Sequence, residues 1–506
     1  MLEKNLYDEI CELSKKKILS FERYHNTQQI LWERRLKNYQ SQAKKKNILR
    51  PEHWEKNKMH NPYYVLKNAR EIAHSVFIKL LNESYSPRIP FVREIQKNGS
   101  KKNRNVNIFQ IPDEAVSKLI YKKLLQKNRH RLSSFSYAYR DDRNVHFAIQ
   151  DISVDIRQTP RIYIAEFDFK DFFGSISQDY IKSQYDKNGF MVSNFEQIII
   201  NKFLELEINK IEKNKYLGIP QGTSLSLFIA NMICWSLDRD FEKNGLRFAR
   251  YADDTIIWSD DYSKISKSFS LINEFSKSAG VEINIVKSDG ISLLTKKGMK
   301  SELASTKKNI EFLGYSISND NISIKDESVK KIKQHISFIL YQTLIQPINK
   351  GKWINVDVPN QNEDRSFISA IMQIRRYLYG NLNEKMLRNY VSGSYKRLNF
   401  KGIMSFYPLI DDEQQLKELD KWLVSTLSNA LKKRGKLLSL KYEKFNNYPL
   451  YSLKGKDLVK FTKNTRIGKS NLEVPSFLRI YRAIEEKVVT SGIEATMHPK
   501  SNYYNY

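Results

Sequence analysis

The order of hydrophobic and polar positions changes twice along this chain and divides it into helical, mixed and helical parts. Residues 1–85 place apolar side chains at helical spacing, most clearly from Asn68 to Leu81, and carry clusters of lysines. This pattern predicts a basic, helical N-terminal extension. Over residues 86–150, proline and glycine interrupt short apolar runs, which predicts strands and turns until Pro112 opens a further helix.

From residue 151 to residue 320 the pattern predicts alternating strands and helices. The predicted elements are a strand at Arg161 to Phe169, largely helical sequence at Tyr180 to Leu206, a buried helix at Thr223 to Phe241, a hairpin at Phe248 to Trp258, an amphipathic helix at Ser263 to Gly280 and a strand at Val281 to Val286. This order is typical of an antiparallel sheet backed by helices.

Helical periodicity returns over residues 321–445. Its clearest stretches are Glu327 to Ile345 and Glu413 to Leu438, and the second has acids near its start and lysines near its end, as the helix dipole favours. Residues 446–506 are less regular. The pattern as a whole predicts an α+β fold with mainly helical extensions at both ends.

The charge balance indicates the kind of partner. The 506 residues include 85 Lys and Arg against 56 Asp and Glu, which gives a formal net charge of +29. Scattered, solvated lysines are the ordinary explanation of a basic surface, but an excess this large favours a polyanion.

Cysteine usage and the lack of long apolar stretches indicate the compartment. Cys11 and Cys234 are the two cysteines of the sequence, so a disulfide framework and a paired-cysteine zinc site are excluded. No apolar stretch approaches the roughly 20 residues of a membrane span, and the start of the chain lacks the apolar core of a signal peptide. We therefore expect no membrane contact and a reducing cytoplasmic location.

Candidate chemistry lies in the predicted hairpin, where Asp253 and Asp254 separate two apolar runs. Two adjacent carboxylates on a tight turn cannot both enter a core unpaired, but they can share a divalent metal ion. Asp168, near the end of the predicted strand upstream, supplies a third acid. Three carboxylates suit two-metal nucleotidyl transfer, whereas the pair alone would also fit a solvated turn without metal.

With these acids, five sequence blocks follow one another in an order that resembles the reverse transcriptases. The blocks are Asp168 to Phe173, Gly218 to Gly222, Tyr251 to Asp254, Gly280 to Ser288 and Phe312 to Tyr315. The resemblance is good over roughly residues 85–320. It implies a right-hand polymerase divided into a helical N-terminal extension (1–85), fingers (86–150), palm (151–320), helical thumb (321–445) and a C-terminal region with a tyrosine-rich tail (446–506).

For the metal site, the resemblance implies two Mg²⁺ ions, with Mn²⁺ as the alternative, bound by Asp168 and Asp253. Asp254 is the third acid, and the backbone carbonyl of Phe169 would add an oxygen ligand. The expected substrates are deoxynucleoside triphosphates on an RNA template, and the expected product is DNA.

Further residues are candidates for nucleotide binding. Phe173 is the expected sugar gate, because an aromatic ring beneath the sugar leaves no room for a 2′-hydroxyl; an ordinary core phenylalanine is the alternative. Gln221 and Gly222 lie on a turn that glycine lets approach a nucleotide closely, or that merely opens a helix. Arg104, in a basic hairpin, would neutralise the triphosphate, and Lys287 would protonate the pyrophosphate; a solvated turn and a surface lysine are the plainer interpretations.

The last residues include Tyr503, Tyr504 and Tyr506 on a polar end. A tyrosine hydroxyl can replace a primer 3′-hydroxyl as nucleophile, and aromatic rings can stack on bases, although most chain termini are inert. The layout, with long extensions at both ends, resembles most the bacterial defence-associated, "unknown group" reverse transcriptases. That resemblance implies antiviral immunity and a small noncoding RNA as partner.

Four functions follow from these residues. The first is an RNA-directed DNA polymerase used in phage defence, and the second is protein-primed or untemplated synthesis of simple-sequence DNA from the same three acids. The third is an RNA-binding scaffold without catalysis, against which the intact acids count. The fourth, a palm-type nucleotide cyclase, requires neither the gate at Phe173 nor basic helices. Self-association stays open, since no heptad pattern demands it.

Overall fold

A computed structural model gives the fold. It describes residues 2–38, 47–96, 103–212, 215–286, 288, 290–296, 298–299, 303, 305–349, 358–359, 364–395, 397–442, 449–467 and 470–497. Over these residues the chain forms a mixed α and β structure with helices at both ends around a central sheet. In this part of the chain, the helices are all too short or too polar to cross a membrane.

The N-terminal part is helical, as predicted. Its helices are α1 (Leu2–Asn38), α2 (Glu52–Lys56), α3 (Pro62–Lys67) and α4 (Ala69–Leu81). The first half of α1 buries Leu6, Ile10 and Leu13, which share one face of the helix, against α3 and α4.

The central part contains the predicted sheet and its helices. Its elements are β1 (Phe91–Gln96), β2 (Asn103–Ile108), α5 (Ile111–Asn128), α6 (Val145–Gln158), β3 (Arg161–Phe167), α7 (Phe172–Ser175), α8 (Gln178–Lys187), α9 (Asn194–Leu204), β4 (Lys210–Glu212), β5 (Lys215–Tyr216), α10 (Ser224–Lys243), β6 (Arg247–Tyr251), β7 (Asp254–Ser259), α11 (Tyr262–Ala279), β8 (Ser292–Thr295) and β9 (Thr306–Lys307). The buried helix at Thr223 to Phe241 and the hairpin at Phe248 to Trp258 are confirmed as α10 and β6–β7.

The central sheet has the strand order β6–β7–β3–β8–β9. Its neighbours are antiparallel except for the short pair β8–β9. Alternate residues of β3 enter two different cores: Ile162 and Ile164 join the core shared with the C-terminal helices, whereas Ala165 and Phe167 join the core shared with the N-terminal helices. The sheet is therefore covered on both faces, which explains why β3 carries apolar side chains on both of its faces.

The predicted strand at Val281 to Val286 is wrong. In this segment Ile283 forms a single bridge with Phe169, and the chain then turns, leaving Ile285 and Val286 81% and 94% exposed. This antiparallel bridge lies just past the end of β3, and β8 takes the place beside β3 itself. Alternating apolar residues predicted the strand, but they cannot reveal whether a partner strand is available.

The C-terminal part packs around its own core. Its elements are β10 (Ile310–Phe312), β11 (Tyr315–Ile317), β12 (Ile322–Ile324), α12 (Asp326–Leu340), α13 (Gln346–Asn349), α14 (Arg365–Tyr379), α15 (Glu384–Val391), α16 (Glu413–Lys441), α17 (Gly455–Asn464), β13 (Arg466–Ile467), β14 (Ser470–Asn471) and α18 (Phe477–Ser491). The two long helices predicted here are confirmed as α12 and α16. The described part of 446–506 is more regular than expected, because α17 and α18 bury Leu458, Phe477 and Ile480 in this core.

Candidate active site

The turn between β6 and β7 carries two of the three predicted acids. Tyr251 pairs with Asp254, so Ala252 and Asp253 form the tip of the hairpin. Ala252 has φ +63°, in the left-handed region that costs a residue with a Cβ roughly 1 kcal/mol or more. Such a conformation persists only where surrounding contacts hold it in place.

The third acid, Asp168, lies beside this turn. Phe167, the last residue of β3, pairs with Thr255, the second residue of β7. Because the two strands are antiparallel, the next residue of β3 lies at the level of the residue before Thr255. Asp168 and Asp254 are thus the residues directly past the last pair of the ladder, and Asp253 is one residue away on the turn.

Two residues that were not predicted fix Asp168. The side-chain amide of Asn284 donates to Asp168 Oδ2 at 2.8 Å, and the Asn284 backbone N–H donates to the Asp168 carbonyl, also at 2.8 Å. The Asp168 N–H donates to Ser288 Oγ at 3.2 Å. Both residues belong to the sequence block from Gly280 to Ser288, so the block itself was the signal that could have identified them.

A buried ion pair supports the hairpin turn from below. Arg250 on β6 and Asp238 on α10 have side chains 1% and 2% exposed. Arg250 Nε and Nη2 donate to the two carboxylate oxygens of Asp238 at 2.7 and 2.6 Å, and Arg250 Nη1 donates to the carbonyl of Ala252 at 3.1 Å. Burial raises the pKa of Asp238, and the paired guanidinium opposes that shift. The pair therefore connects a rigid helix to the strained residue of the turn.

The same guanidinium also reaches the segment before α6. Arg250 Nη2 donates to Ser136 Oγ at 2.8 Å, and backbone hydrogen bonds join Arg250 N to Phe135 O and Tyr137 N to Arg250 O, each at 2.9 Å. Asn231 of α10 donates to the carbonyl of Ala138 at 2.9 Å. The segment that precedes Tyr139 is therefore fixed to β6 and α10 together.

Phe173 lies close to this segment and to the predicted nucleotide turn. Its ring is edge-on to that of Tyr139, with centroids 6.5 Å apart. Its carbonyl accepts a hydrogen bond from Ile219 N at 2.6 Å, and a Cβ on Gly218 would lie 2.7 Å from the same oxygen. The block around Phe173 and the block from Gly218 to Gly222 are therefore in contact.

The turn at Gln221 and Gly222 touches strand β2. Gly222 has φ +103°, and a Cβ at this position would lie 2.4 Å from the carbonyl of Asn107. Only glycine allows this approach, because the neighbouring atom belongs to the backbone. Thr223 then caps α10 by accepting from Ser226 N at 3.2 Å. The turn therefore opens a helix and approaches β2 closely, and its contact with a nucleotide stays a prediction.

The remaining predicted residues have different outcomes. Phe169 is buried next to Asp168, in the bridge to Ile283. Arg104 lies on β2 opposite Ile95 of β1, and the turn that joins these two strands lies outside the described residues. Four predicted positions lie outside the described residues: Lys287, Tyr503, Tyr504 and Tyr506.

The three carboxylates fit a hard divalent ion by their chemistry. Oxygen ligands are those that Mg²⁺ takes, and it keeps several waters while using one or two carboxylates together with substrate phosphates. Over the described residues, which include all three aspartates, no group of three acidic, histidine or cysteine side chains is arranged so that it could hold a metal ion.

The similarity of the chain to known proteins coincides with this site. Residues 95–317 match the family model described as reverse transcriptase (RNA-dependent DNA polymerase). The matched segment contains all three acids, Phe173 and the turn at Gln221 and Gly222. With its central sheet, its N-terminal hairpin and its C-terminal helices, the chain has the right-hand polymerase fold, with mainly helical extensions, that was predicted.

The similar curated proteins and solved structures share only a small fraction of identical residues with this chain. The chain is 27% identical to the retron Ec86 reverse transcriptase of Escherichia coli over 188 residues, which are 36% of this chain and 51% of the relative, so the chain spans about half the length of this curated relative. Telomerase from Candida albicans, solved with a fragment of telomeric RNA, covers 80% of this chain and is itself covered to 69%, at 11% identity and a TM-score of 0.35. Apo telomerase from Candida tropicalis covers 84% of this chain and is itself covered to 67%, at 14% identity and a TM-score of 0.36.

Proposed function

We propose that this chain is a metal-dependent RNA-directed DNA polymerase, with Asp168, Asp253 and Asp254 at its catalytic centre. The observation that supports this most directly is the strand register, in which the last β3–β7 pair, Phe167 and Thr255, is followed on one strand by Asp168 and preceded on the other by Asp254, within the segment that matches the reverse transcriptase model. A solvated acidic turn would need neither a third acid at the same level nor a buried ion pair beneath it.

The protein residues divide the work of nucleotidyl transfer. Asp168 and Asp253 would hold two Mg²⁺ ions, with Asp254 as the third acid and the Phe169 carbonyl as a further oxygen ligand. The bound ions supply charge neutralisation and lower the pKa of the attacking 3′-hydroxyl. Asn284 keeps the carboxylate of Asp168 oriented, and Arg250 keeps the turn of Asp253 in place.

Nucleotide selection belongs to the contact between Phe173 and the turn that follows Gly218. The ring of Phe173, supported edge-on by Tyr139, would lie beneath the incoming sugar and exclude a 2′-hydroxyl. Gln221 and Gly222, next to β2, would lie against the base pair being formed. Arg104 on β2 and Lys287 would act on the triphosphate and on the departing pyrophosphate.

The biological setting is also a proposal. The resemblance to the defence-associated bacterial enzymes supports antiviral defence, with a small noncoding RNA as template and the cytoplasm as location. The net charge of +29 supports a stable RNA partner. The Escherichia coli relative described above is itself a retron reverse transcriptase.

One experiment tests the polymerase and identifies its primer. The purified protein, with the nucleic acid it carries, is incubated with Mg²⁺ and each labelled deoxynucleotide separately, with and without prior RNase treatment. Products are separated on a denaturing gel before and after protease digestion. Label that is lost after RNase treatment, and whose gel mobility protease does not change, supports an RNA template and a nucleic-acid primer.

The other outcomes of this experiment point to the rival functions. Label whose mobility changes only after protease would mean DNA attached to protein, with Tyr503, Tyr504 and Tyr506 as the residues to replace. Label that survives RNase and contains a single nucleotide would mean untemplated synthesis. No label in any lane, from protein that binds RNA, would favour the scaffold and contradict the proposal.

A further inference from the structure

A long basic groove lies between α16 and α17, in the C-terminal part of the chain. It has a volume of about 1530 Å³. Ser428 Oγ on α16 donates to the carbonyl of Leu453 at 2.8 Å, and a Cβ on Gly435 would lie 2.9 Å from the side chain of Tyr451. The chain leading into α17 is therefore tightly packed against α16, which gives the groove a fixed floor.

Exposed lysines form both walls of this groove. They are Lys421, Lys432 and Lys436 on α16, and Lys454, Lys456, Lys460 and Lys463 on α17 and the residue before it. The α16 lysines recur after eleven and four residues, and three of the α17 lysines after four and three, so each set shares one face of its helix. Both rows therefore face the same space.

This positive charge is not compensated within the groove. Within the described part of the chain, none of the seven lysines takes part in an ion pair. Asp420 is the one acid among the lining residues, and its carboxylate accepts hydrogen bonds from Ser476 Oγ and Phe477 N, both at 2.6 Å. Since this carboxylate serves the start of α18 and Lys463 interacts electrostatically with Glu473, the other six lysines supply the positive charge of the groove.

The size and chemistry of the groove favour an extended polyanion over a small phosphate compound. From Lys421 to Lys436 the α16 row spans fifteen residues, or about 22 Å at 1.5 Å per residue. Lysine is a point charge that suits phosphate, and hydroxyl groups such as those of Ser425 and Ser439 also contact phosphate oxygens. The lining offers almost no exposed aromatic ring for stacking, so it is suited to a backbone and not to bases.

The groove extends along α16 away from the junction of this helix with β12. The start of α16 is joined to β12, where Gln415 accepts from Ile324 N at 2.9 Å. Lys436 is twenty-one residues further along the helix, about 32 Å from that point.

We propose that this groove is a second nucleic-acid site, which holds the phosphate backbone of RNA independently of the strand in the active site. The inference deepens the proposed function by naming where an RNA partner is anchored, and it rests on that function only for the identity of the RNA.

The test measures binding and requires no catalysis. A short fluorescent RNA hairpin of mixed sequence is titrated into protein carrying Asp253→Asn, without nucleotides, at several salt concentrations. The groove variant replaces Lys432, Lys436 and Lys460 by Glu. The control variant makes the same charge change on α11, where Lys264, Lys267 and Lys277 are exposed. Each titration is repeated on protein saturated with an unlabelled RNA–DNA template–primer.

The groove variant should lose the binding that persists on saturated protein. Its slope of log affinity against log salt should fall by about 2 to 3 relative to the parent, because each lost phosphate contact removes about 0.7 to 0.9. The control should keep both the slope and the persistent binding. If the groove variant fails to fold, crosslinking of 4-thiouridine RNA to the parent should label peptides of α16 and α17.

Three results would overturn the proposal. Parent-like binding by a folded groove variant would remove the groove as an RNA site. Loss of all hairpin binding on protein saturated with template–primer would make the groove part of a single channel. Displacement of the hairpin by poly-glutamate, but not by excess unlabelled RNA, would assign the groove to an acidic polypeptide.

Discussion

Arg250 and Asp238 are the residues, beyond the three acids, on which the geometry of the hairpin turn depends most directly. Their side chains are almost fully buried, and Arg250 donates to the carbonyl of Ala252, the residue with φ +63°. Removing one partner of a buried pair leaves an uncompensated charge and costs roughly 3–5 kcal/mol. Such a loss can act on stability, on the position of Asp253, or on both.

We predict that Arg250→Lys weakens metal binding beyond its effect on stability, because lysine keeps the charge but cannot bridge Asp238 and Ala252 at once. The folded fraction is measured by chemical unfolding, and nucleotide incorporation is measured against Mg²⁺ concentration. The folded variant should need several-fold more Mg²⁺ for half-maximal activity.

A second buried pair provides the control. Arg434 and Asp364 are both 0% exposed and lie among the C-terminal helices, where Arg434 donates to Asp364 at 2.8 Å. Arg434→Lys should destabilise the chain but leave the Mg²⁺ dependence of the folded protein unchanged. Equal Mg²⁺ dependence for both variants would reduce Arg250 to a purely structural role.

The sugar gate gives the second prediction at this scale. Phe173→Ala should admit ribonucleotides, because the ring would no longer fill the space of the 2′-hydroxyl, whereas Phe173→Tyr keeps a ring and should keep the selectivity. The measurement is the ratio of kcat/KM for a deoxynucleotide to that for the matching ribonucleotide. A ratio that is the same in the Ala variant and the parent would contradict the gate.

The acidic residues of the site could be predicted from the sequence, but the contacts that position these residues could not. Asp168, Asp253 and Asp254 stood out because adjacent or strand-terminal acids are hard to explain in a core. Asn284 was marked only as a member of the block from Gly280 to Ser288, and Asp238 carried no signal, because their roles depend on which side chain lies opposite in the fold. Single polar residues of this kind are ordinary in any sequence until the tertiary contacts are known.

Among the contacts between elements, we expect the one between the turn before α10 and strand β2 to matter most for nucleotide binding. Gly222→Ala should push β2 away, since the new Cβ would lie 2.4 Å from the carbonyl of Asn107. We predict a higher KM for deoxynucleotides together with lower stability. Gly393→Ala is the matched control, because Gly393 also has positive φ, +77°, but open space around its Cβ position. A similar KM in both variants would show that backbone strain alone is responsible.

Helix α5 offers a test of stability against pH. Asp113 in its first turn accepts from Tyr85 OH at 2.7 Å and from Arg88 N at 3.0 Å, and burial raises its pKa to about 6. The folded chain therefore binds this proton more tightly than the unfolded chain, so the contribution of Asp113 is most favourable below about pH 4 and is lost as pH rises to about 6.

Asp113→Asn should remove this dependence. Relative to the parent, the variant should gain about 2 to 3 kcal/mol of unfolding free energy between pH 4 and pH 7, and nothing more above that. Urea unfolding of both proteins across this range measures the difference, in which all other titrating groups cancel. A constant difference from pH 4 to pH 7 would mean that Asp113 titrates normally.

Element prediction succeeded where periodicity and partners agree, as in α10, α16 and the β6–β7 hairpin. It failed over Val281 to Val286, where the alternation was correct but β8 occupies the place beside β3. It was incomplete for α17 and α18, since short helices that depend on burying Leu458 and Phe477 carry a weak signal of their own.

At the scale of the whole molecule, two cores share one sheet. One face of the central strands packs under α10 and α11 in the core that also includes the N-terminal helices, and the other face joins the core of the C-terminal helices, so the strands that lead to the acids are packed on both sides. The fold class followed from the sequence because the order of helices and strands is visible there. The closure of the C-terminal core around α18 depends on long-range contacts, such as that between Asp420 and Phe477, which no local pattern records.

Single-nucleotide incorporation on a defined RNA template with a DNA primer tests the proposed RNA-directed DNA synthesis, and the role of the aspartates in it, most directly. The proteins compared are the parent, Asp168→Asn, Asp253→Asn and Asp260→Asn, the last being an exposed acid at the far end of β7. We predict that the parent adds only the complementary deoxynucleotide, that changing the template base changes the nucleotide added, and that Asp260→Asn behaves like the parent. Asp168→Asn and Asp253→Asn should lose about 10³-fold or more, since several kcal/mol of charge stabilisation disappear. Parent-like incorporation by a folded Asp253→Asn variant would contradict the catalytic role of Asp253. Nucleotide addition that does not depend on the template base would contradict RNA-directed synthesis.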